Sequence, residues 1–252
     1  MDTERGVRMG HGAGSDMLGE SELFRDVPAE TLKDILALGF PVTATQDESI
    51  FYQGDEADIL YVILTGHMRA TQTTAGGDQL IIRYLTRGEV VGYAVLSGDC
   101  QHTVTLTAVK DSQLFAWPRS VIRQLLAEHA TISMNALNVL GRRYREMQQR
   151  LREFSTESVE QRIARTVLRL IRQAGRRTAA GIQISFPLSR QDLAEMTGTT
   201  LHTVSRTFSV WESRGFVASG RRKVIVRDPY QLAIIAGEDP SHFRDSLPLM
   251  ET

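Results

Sequence analysis

Cysteine is almost missing from the sequence, because Cys100 is the only one among 252 residues. A single thiol cannot close an internal disulfide, and it cannot supply the several thiolates that an iron–sulfur cluster or a structural zinc site needs. Long apolar runs are missing too, since segment 1–20 has none that could act as a signal peptide or span a membrane. The length and these absences predict a cytoplasmic protein of two domains without membrane attachment.

The charges are unevenly distributed, although the net charge is only −1. Residues 1–118 hold 8 basic and 17 acidic residues, residues 119–154 hold 7 and 3, and residues 155–230 hold 13 and 6. Because Lys and Arg drive binding to nucleic-acid phosphates, this pattern indicates that the second half of the chain meets a polyanion. Charge alone leaves DNA, RNA and an anionic membrane as alternatives.

The amino-acid composition changes along the first 118 residues. Residues 1–20 hold several glycines and few large apolar side chains, which predicts a flexible arm. One or two short helices, broken near Pro28, are expected next. From there to residue 118, short β-branched and aromatic runs alternate with glycines spaced 12, 11 and 11 residues apart. Residues 21–118 are therefore predicted to contain an antiparallel β-roll or jelly roll.

Residues 119–154 have a helical period, with a short helix and then a longer one from about Thr131. In the longer helix, apolar residues recur at alternating steps of three and four, as in a two-stranded coiled coil. They are Leu137, Leu140, Tyr144, Met147, Leu151 and Phe154, and arginines 142, 143, 145, 150 and 152 are expected on the remaining surface. We expect a dimer seam; the alternative is an amphipathic helix that packs only on its own domain.

Residues 155–230 contain the layout of a helix-turn-helix. Ser189 can cap a first helix with Asp192 reaching back to it, and Gly198 permits a tight turn before a second helix that runs to Ser213. The turn and the exposed start of the second helix offer side chains that can bond bases or phosphates: Thr199, Thr200, His202, Thr203, Ser205 and Arg206. Polar side chains in this number are not expected in a hydrophobic core.

Two short apolar strands follow at once, around a turn that carries Arg221, Arg222 and Lys223. A solvated hairpin is the alternative, but a basic hairpin directly after a helix-turn-helix, in a segment with excess positive charge, is typical of a DNA-binding wing. The sequence thus predicts binding to double-stranded DNA by residues 155–230, followed by a C-terminal tail, 231–252.

Together these features resemble the Crp/Fnr family of bacterial transcription regulators over nearly the whole chain past residue 20. Residues 193–206 are similar to its NnrR branch, which regulates denitrification genes in response to nitric oxide. The resemblance implies an α+β fold with a cyclic-nucleotide-binding-like β-roll that senses a signal, a long dimerisation helix and a C-terminal winged helix-turn-helix. It also implies a homodimer that binds a palindromic promoter site and works with RNA polymerase as an activator.

By the same resemblance, Ser189, Arg190 and Gln191 contact phosphates, and the start of the second helix reads the major groove. His202 stands where many relatives carry Glu, so the operator is expected to differ from the usual family sequence. Relatives that bind cyclic nucleotides have a Glu after the last turn glycine of the roll and an Arg about ten residues later. Here Tyr93 follows Gly92, and residues 95–107 contain no Arg or Lys. No cyclic nucleotide is therefore expected.

The signal is left open by the sequence. Haem needs an axial ligand and an apolar pocket, and the candidate histidines are His11, His67, His102 and His129. Cys100 is either an exposed redox thiol or an inert residue. A regulator whose roll is only a scaffold, and a cupin-like metal enzyme, are the rival interpretations. The enzyme would need histidines clustered on adjacent strands, and neither catalytic nor metal-binding residues are predicted.

Overall fold

The structure is a computed structural model that describes residues 11–97 and 101–240. Contacts divide the chain into two units, Met1–Asp78 with Ile82–Met147, and Gln79–Ile81 with Gln148–Thr252. None of the helices in the described residues is both long and apolar enough to cross a membrane.

The first unit is built on a β-roll flanked by helices. Its elements are α1 (His11–Gly19), α2 (Ala29–Ala37), β1 (Phe40–Ala44), β2 (Ser49–Phe51), β3 (Ile59–Thr73), most of β4 (Gln79–Leu85), β5 (Val90–Val91), α3 (Ala94–Ser97), β6 (Thr105–Pro118), α4 (Arg119–Glu128) and the first part of α5 (Ala130–Thr156). The sheet has the order β1-β6-β3-β4, with β2 paired to β6 and β5 to β3. Strand β6 is antiparallel to β1, β2 and β3.

The long strands β3 and β6 hold the roll together because their side chains alternate between two apolar clusters. Trp117 in β6 belongs to the cluster under the helices. It is fully buried, its ring centroid lies 5.1 Å from that of Phe24, and its indole N–H donates to the carbonyl of Ile35 at 2.8 Å. A buried indole with a satisfied N–H fixes α2 on the sheet.

The predicted flexible arm is wrong for residues 11–19, which form α1. Leu18 is fully buried in the core beneath the helices, and Gly14 lies so close to α2 that a Cβ there would meet Leu36 at 3.5 Å. Burial of Leu18 contributes part of the free energy that ordering this glycine-rich segment requires. The prediction for residues 1–10 lies outside the described residues.

The second unit contains the end of α5, α6 (Val159–Ala174), β7 (Gly175–Thr178), β8 (Gly181–Ile184), α7 (Arg190–Thr197), α8 (Leu201–Ser213), β9 (Val217–Gly220), β10 (Lys223–Val226) and α9 (Pro229–Ile235). Its antiparallel sheet has the order β7-β8-β10-β9. Strand β7 was missed by the sequence analysis because Arg176 and Arg177 face solvent on this edge strand and give no apolar alternation.

The predicted boundary of the C-terminal tail is also wrong. Helix α9 extends to Ile235, and its Leu232 and Ala233 are fully buried. Asp228 caps this helix by accepting from the backbone N–H of Gln231 at 3.1 Å. Residues 231–235 therefore belong to the second unit and not to a tail.

Candidate nucleic-acid interface

The first helix of the helix-turn-helix begins with the predicted capping box, which the structure confirms. The hydroxyl of Ser189 accepts from the N–H of Asp192 at 3.0 Å, and the N–H of Ser189 donates to the Asp192 carboxylate at 2.7 Å. Helix α7 ends at Gly198, whose φ of 60° and ψ of 47° place it in the left-handed region. The turn is thus set at both ends by the residues that the sequence indicated.

The second helix, α8, buries one face and presents the other. Val204, Phe208 and Trp211 are fully buried, and the Trp211 indole N–H donates to Glu160 at 3.0 Å. His202 and Arg206 are exposed one helical turn apart. We call the exposed side of the first two turns of α8, which carries His202 and Arg206, the recognition face.

The other predicted residues of this helix are partly engaged within the chain. Thr200 caps α8, since its hydroxyl accepts from the N–H of Thr203 at 3.2 Å and lies 3.0 Å from the Thr203 hydroxyl. Thr199 and Ser205 are half-buried. Because the hydroxyls of Thr200 and Thr203 already bond each other, His202 and Arg206 have the most freedom to contact a ligand.

Arg190 ties the helix-turn-helix to the wing. Its guanidinium donates to the hydroxyl of Ser219 at 3.0 Å, lies 3.4 Å from Glu212, and sits 5.6 Å from the ring centroid of Phe208. The neighbouring Gln191 is exposed and donates to Glu195 at 3.0 Å. Arg190 therefore has a packing role that its sequence position did not indicate.

The wing consists of β9, β10 and the basic turn between them. Arg221, Arg222 and Lys223 are all exposed, and Arg222 adopts a left-handed φ of 54°. The carbonyl of Arg222 accepts from the N–H of Leu188 at 3.0 Å, which holds the turn beside the start of α7. A groove of about 350 Å³ lies between them, with Ser189, Arg190 and Lys223 in its lining.

Helix α5 carries an apolar stripe on its outer side. Ile132, Ala136 and Val139 are buried in the chain itself, and Leu140 is half-buried. The other predicted seam residues are 48% to 70% exposed: Leu137, Tyr144, Met147, Leu151 and Phe154. Met134, which the sequence analysis did not include, is exposed to a similar degree. So many large exposed apolar side chains in one row are typical of an interaction surface.

The comparisons with known proteins agree with this geometry. The sequence matches the cyclic nucleotide-binding domain over residues 41–129 and the Crp-like helix-turn-helix domain over residues 161–235. It is 31% identical to the cyclic AMP receptor protein of Thermus thermophilus over 191 residues, which cover 76% of this chain and 85% of that protein. The chain belongs to the Crp/Fnr family.

Two other proteins match over a similar share of the chain at lower identity. The chain is 24% identical over 208 residues to the transcriptional activator protein FnrA of Stutzerimonas stutzeri, covering 82% of this chain and 84% of that protein. The structure of FixK2 from Bradyrhizobium japonicum matches with a TM-score of 0.69 at 22% identity, covering 78% of this chain and 96% of that one. The predicted fold class is confirmed. The protein is a Crp/Fnr-type DNA-binding transcription regulator, and the cupin-like enzyme has no support.

The turn at Gly92 in the roll is followed by a segment without Arg or Lys side chains. Gly92 has a φ of 77°, and a Cβ there would meet the carbonyl of Ile59 at 2.6 Å, so the turn is tight. The residue after it is Tyr93 and not an acid, and residues 95–107 contain no Arg or Lys. A cyclic phosphate needs a cationic partner, and this segment supplies none.

His102, which lies near the place of the missing arginine, cannot replace it. The side chain is 5% exposed, and its ring stacks on Phe51 with centroids 3.6 Å apart. Burial lowers the pKa of His102 and outweighs the opposing effect of Asp55 and Asp58. The ring is therefore uncharged at neutral pH and packs as an aromatic core residue.

The other candidate histidines that the structure describes, His67 and His129, belong to different parts of the first unit. His67 lies in β3, and burial, with a smaller effect from Lys110, lowers its pKa to about 4. His129 follows α4 and donates its backbone N–H to Leu125 at 2.9 Å. Cys100 and the side chain of His11 lie outside what is described. Within residues 11–97 and 101–240, no group of three or more His, Cys, Asp or Glu could hold a metal ion.

An ion cluster joins α5 to the roll, and the sequence analysis did not predict it. The Arg143 guanidinium lies 3.0 Å from Glu22, 3.2 Å from Glu89 and 3.1 Å from Glu146. Arg83 also contacts Glu89 and lies 3.3 Å from Glu146. Arg142 lies 3.3 Å from Glu22 as well. Six charged side chains from four parts of the first unit therefore form one cluster.

The expectation that Arg143 lies on the surface of the long helix is wrong, because its side chain is only 9% exposed. Burial lowers the pKa of Arg143, but the carboxylates of Glu22, Glu89 and Glu146 outweigh this and raise it overall. The helical period could have indicated this burial. Position 143 lies four residues after Val139, which itself lies three residues after Ala136, so all three share one buried face of the helix.

Proposed function

We propose that this Crp/Fnr regulator binds a two-fold symmetric promoter site as a homodimer and activates transcription with RNA polymerase. The observation that carries the proposal is the recognition face, which exposes His202 and Arg206 while the opposite side of α8 is buried. In this proposal His202, Thr203, Ser205 and Arg206 face base edges in the major groove. Thr199, Thr200, Ser189, Arg190, Gln191 and the wing cations Arg221, Arg222 and Lys223 lie toward the phosphates.

The proposed dimer uses the stripe on α5 from Leu137 to Phe154. Exposed apolar residues at steps of three and four support a coiled-coil pair. Pairing places the two recognition faces about one turn of DNA apart, which matches a palindromic site. Residues 21–118 then act as the sensing domain, 119–154 as the dimerisation segment and 155–230 as the DNA-binding domain.

We infer that the signal is nitric oxide and that the target genes belong to denitrification or growth at low oxygen. The similarity of residues 193–206 to the NnrR branch supports this signal, and the similarity of the chain to FnrA, a transcriptional activator protein, supports activation. A second candidate is a regulator whose roll is a scaffold without a ligand. The stacked, uncharged His102 and the missing cations after Gly92 favour it.

The base-reading role is tested by comparing Arg206→Ala with Arg222→Ala. A preferred site is first selected from random DNA, and affinities for that site and for random DNA are measured at several salt concentrations. Arg206→Ala is expected to cost about 1–3 kcal/mol on the selected site and little on random DNA, because base contacts carry the specificity. Arg222→Ala is expected to weaken binding to both DNAs alike, with a smaller salt dependence. Equal losses on both DNAs for Arg206→Ala would contradict the assignment.

The nitric oxide proposal is tested by absorption spectra of protein purified without oxygen, recorded with and without nitric oxide. If haem mediates the response, a Soret band is expected that shifts when nitric oxide is added. Footprints of the selected site, recorded in parallel, are expected to change with nitric oxide. A protein with no chromophore and the same footprint in both conditions would favour the scaffold interpretation.

A further inference from the structure

Phe154, the last residue of the predicted seam, is placed differently from the others. It is 48% exposed, against 69% for Leu151 one turn earlier. The half that is covered lies against the turn of the helix-turn-helix: a Cβ built on Gly198 would meet Cε1 of Phe154 at 2.8 Å and Cζ at 3.6 Å. The ring thus contacts the backbone that separates α7 from α8.

Gly198 is suited to this contact for two reasons. Its φ of 60° lies in the left-handed region, which other residues adopt only with strain. A Cβ there would also meet the ring at 2.8 Å, so the Phe154 ring would have to move to admit it. The left-handed turn thus brings the bare backbone of residue 198 against the Phe154 ring.

Arg162 completes the arrangement from α6. Its guanidinium carbon lies 5.2 Å from the centroid of the Phe154 ring, within the range of a cation–π contact. The same guanidinium donates to the carbonyl of Thr197 at 3.1 Å and to that of Glu157 at 2.9 Å. It therefore joins the last residue of α7 to the segment that connects α5 and α6.

The last turn of α5 is held in this position by buried charges as well. Glu153 is 4% exposed, and its carboxylate lies 3.3 Å from Arg169 and 3.8 Å from Arg165, both on α6. Removing a buried carboxylate from its partners is costly, so the end of α5 is fixed on the helix that also carries Arg162. Phe154 is in this way presented to the turn by a rigid support.

We propose that Phe154 is a positioning residue of DNA binding: with Arg162 and Gly198 it forms a clamp that sets the turn ahead of the recognition face. The clamp is defined by these three residues. A shift or rotation of the last turn of α5 is transmitted through it to the start of α8. The proposal rests on the DNA-binding role given above, and it assigns Phe154 a task that seam packing alone does not require.

The first test is hydrogen exchange of the full-length protein, comparing Phe154→Ala with Leu151→Ala. Both variants remove apolar surface from the seam, but only the first removes the ring beside Gly198. Amides in the peptide 197–201 are expected to exchange about tenfold faster in Phe154→Ala and at the wild-type rate in Leu151→Ala, because local protection follows local contacts. Equal protection of this peptide in the two variants would overturn the proposal.

The second test is a double-mutant cycle between positions 154 and 198. Gly198→Ala introduces both backbone strain and a collision with the ring, whereas in the Phe154→Ala background only the strain remains. The double variant is therefore expected to lose less stability than the two single variants lose together. Its equilibrium constant for unfolding should be about tenfold smaller than additive effects would give. Additive effects would also overturn the proposal.

Binding to the selected DNA is measured for the same proteins, with the dimer fraction determined by sedimentation equilibrium. Phe154→Ala is expected to bind about tenfold more weakly than wild type when both are fully dimeric, whereas Leu151→Ala at full dimer is expected to bind as wild type does. Wild-type affinity of dimeric Phe154→Ala would overturn the positioning role. Failure of the wild-type protein to select any DNA site would instead overturn the proposed function, while exchange and the cycle would still report on the clamp.

Discussion

Replacing Arg143 by methionine is expected to destabilise the first unit by about 1.5–3 kcal/mol, because Glu22 and Glu89 lose the guanidinium that they share and keep only Arg142 and Arg83 as counter-charges. Glu22 and Glu89 both lie within 3.2 Å of the Arg143 guanidinium, and their side chains are 13% and 12% exposed. Methionine retains much of the apolar length of the arginine, so the loss reports on charge and hydrogen bonds. Urea unfolding followed by far-UV circular dichroism measures it.

Arg145→Met is the matched control, since Arg145 lies two residues further along α5 and is exposed. It is expected to change stability by less than about 0.5 kcal/mol. The double variant Arg143→Met with Glu89→Gln should regain part of the loss, because it removes the excess negative charge that Arg143→Met leaves in the cluster. If Arg143→Met costs no more than Arg145→Met, the cluster makes no net contribution to stability.

The cost of Arg143→Met should also depend on pH. Burial already raises the pKa of Glu22, and Arg143 opposes that rise. Without Arg143 the folded-state pKa of Glu22 moves further above its unfolded value, so the folded variant binds a proton that the unfolded chain releases. Its stability therefore falls as pH rises through that window, and the penalty is smaller near pH 5 than near pH 8.

Introducing Glu at Met147 is expected to weaken binding to the selected DNA about 100-fold or more at protein concentrations where the wild type is dimeric. Met147 is 70% exposed in the chain, so the substitution leaves the fold intact. In the proposed seam it would place two carboxylates, one from each copy, in an apolar interface, which costs several kcal/mol. Sedimentation equilibrium measures the dimer, and fluorescence anisotropy of labelled DNA measures the affinity.

Asn138→Glu is the control for this experiment because Asn138 is exposed on the same helix and is not part of the apolar stripe. It adds the same charge and is expected to leave both dimer and DNA affinity unchanged. Leu140 is a poorer test position, since it is half-buried within the chain and a charge there could unfold the first unit. A Met147→Glu protein that remains dimeric and binds DNA normally would place the seam elsewhere.

The helix-turn-helix could be predicted closely because its determinants are local. Ser189 with Asp192 sets one helix start and Gly198 sets the turn, and each acts over three or four residues of sequence. Helix α1 could not be predicted in this way, because it is stabilised by burial of Leu18 in a core formed by distant segments. The same holds for the edge strand β7, whose exposed arginines carry no periodic signal.

The site was predicted less completely than the fold for a related reason. The exposure of His202 and Arg206 follows from the helical period, but the engagement of Arg190 by Ser219 and Glu212 depends on the wing folding back on α8. The Arg143 cluster likewise needs Glu22 and Glu89 to be brought together from segments that are 67 residues apart in the chain. Sequence spacing describes neighbours along one element, whereas these contacts join different elements.

If the exposed stripe on α5 is the dimer seam proposed above, it also determines how promoter occupancy responds to the amount of regulator. If two copies must pair before a symmetric site is filled, occupancy below the dimer dissociation constant rises with the square of the protein concentration. A modest change in synthesis or degradation of the protein then produces a disproportionate change in transcription. In the proposed dimer, the residues of the seam would thereby give the regulator a threshold, even with no ligand in the roll.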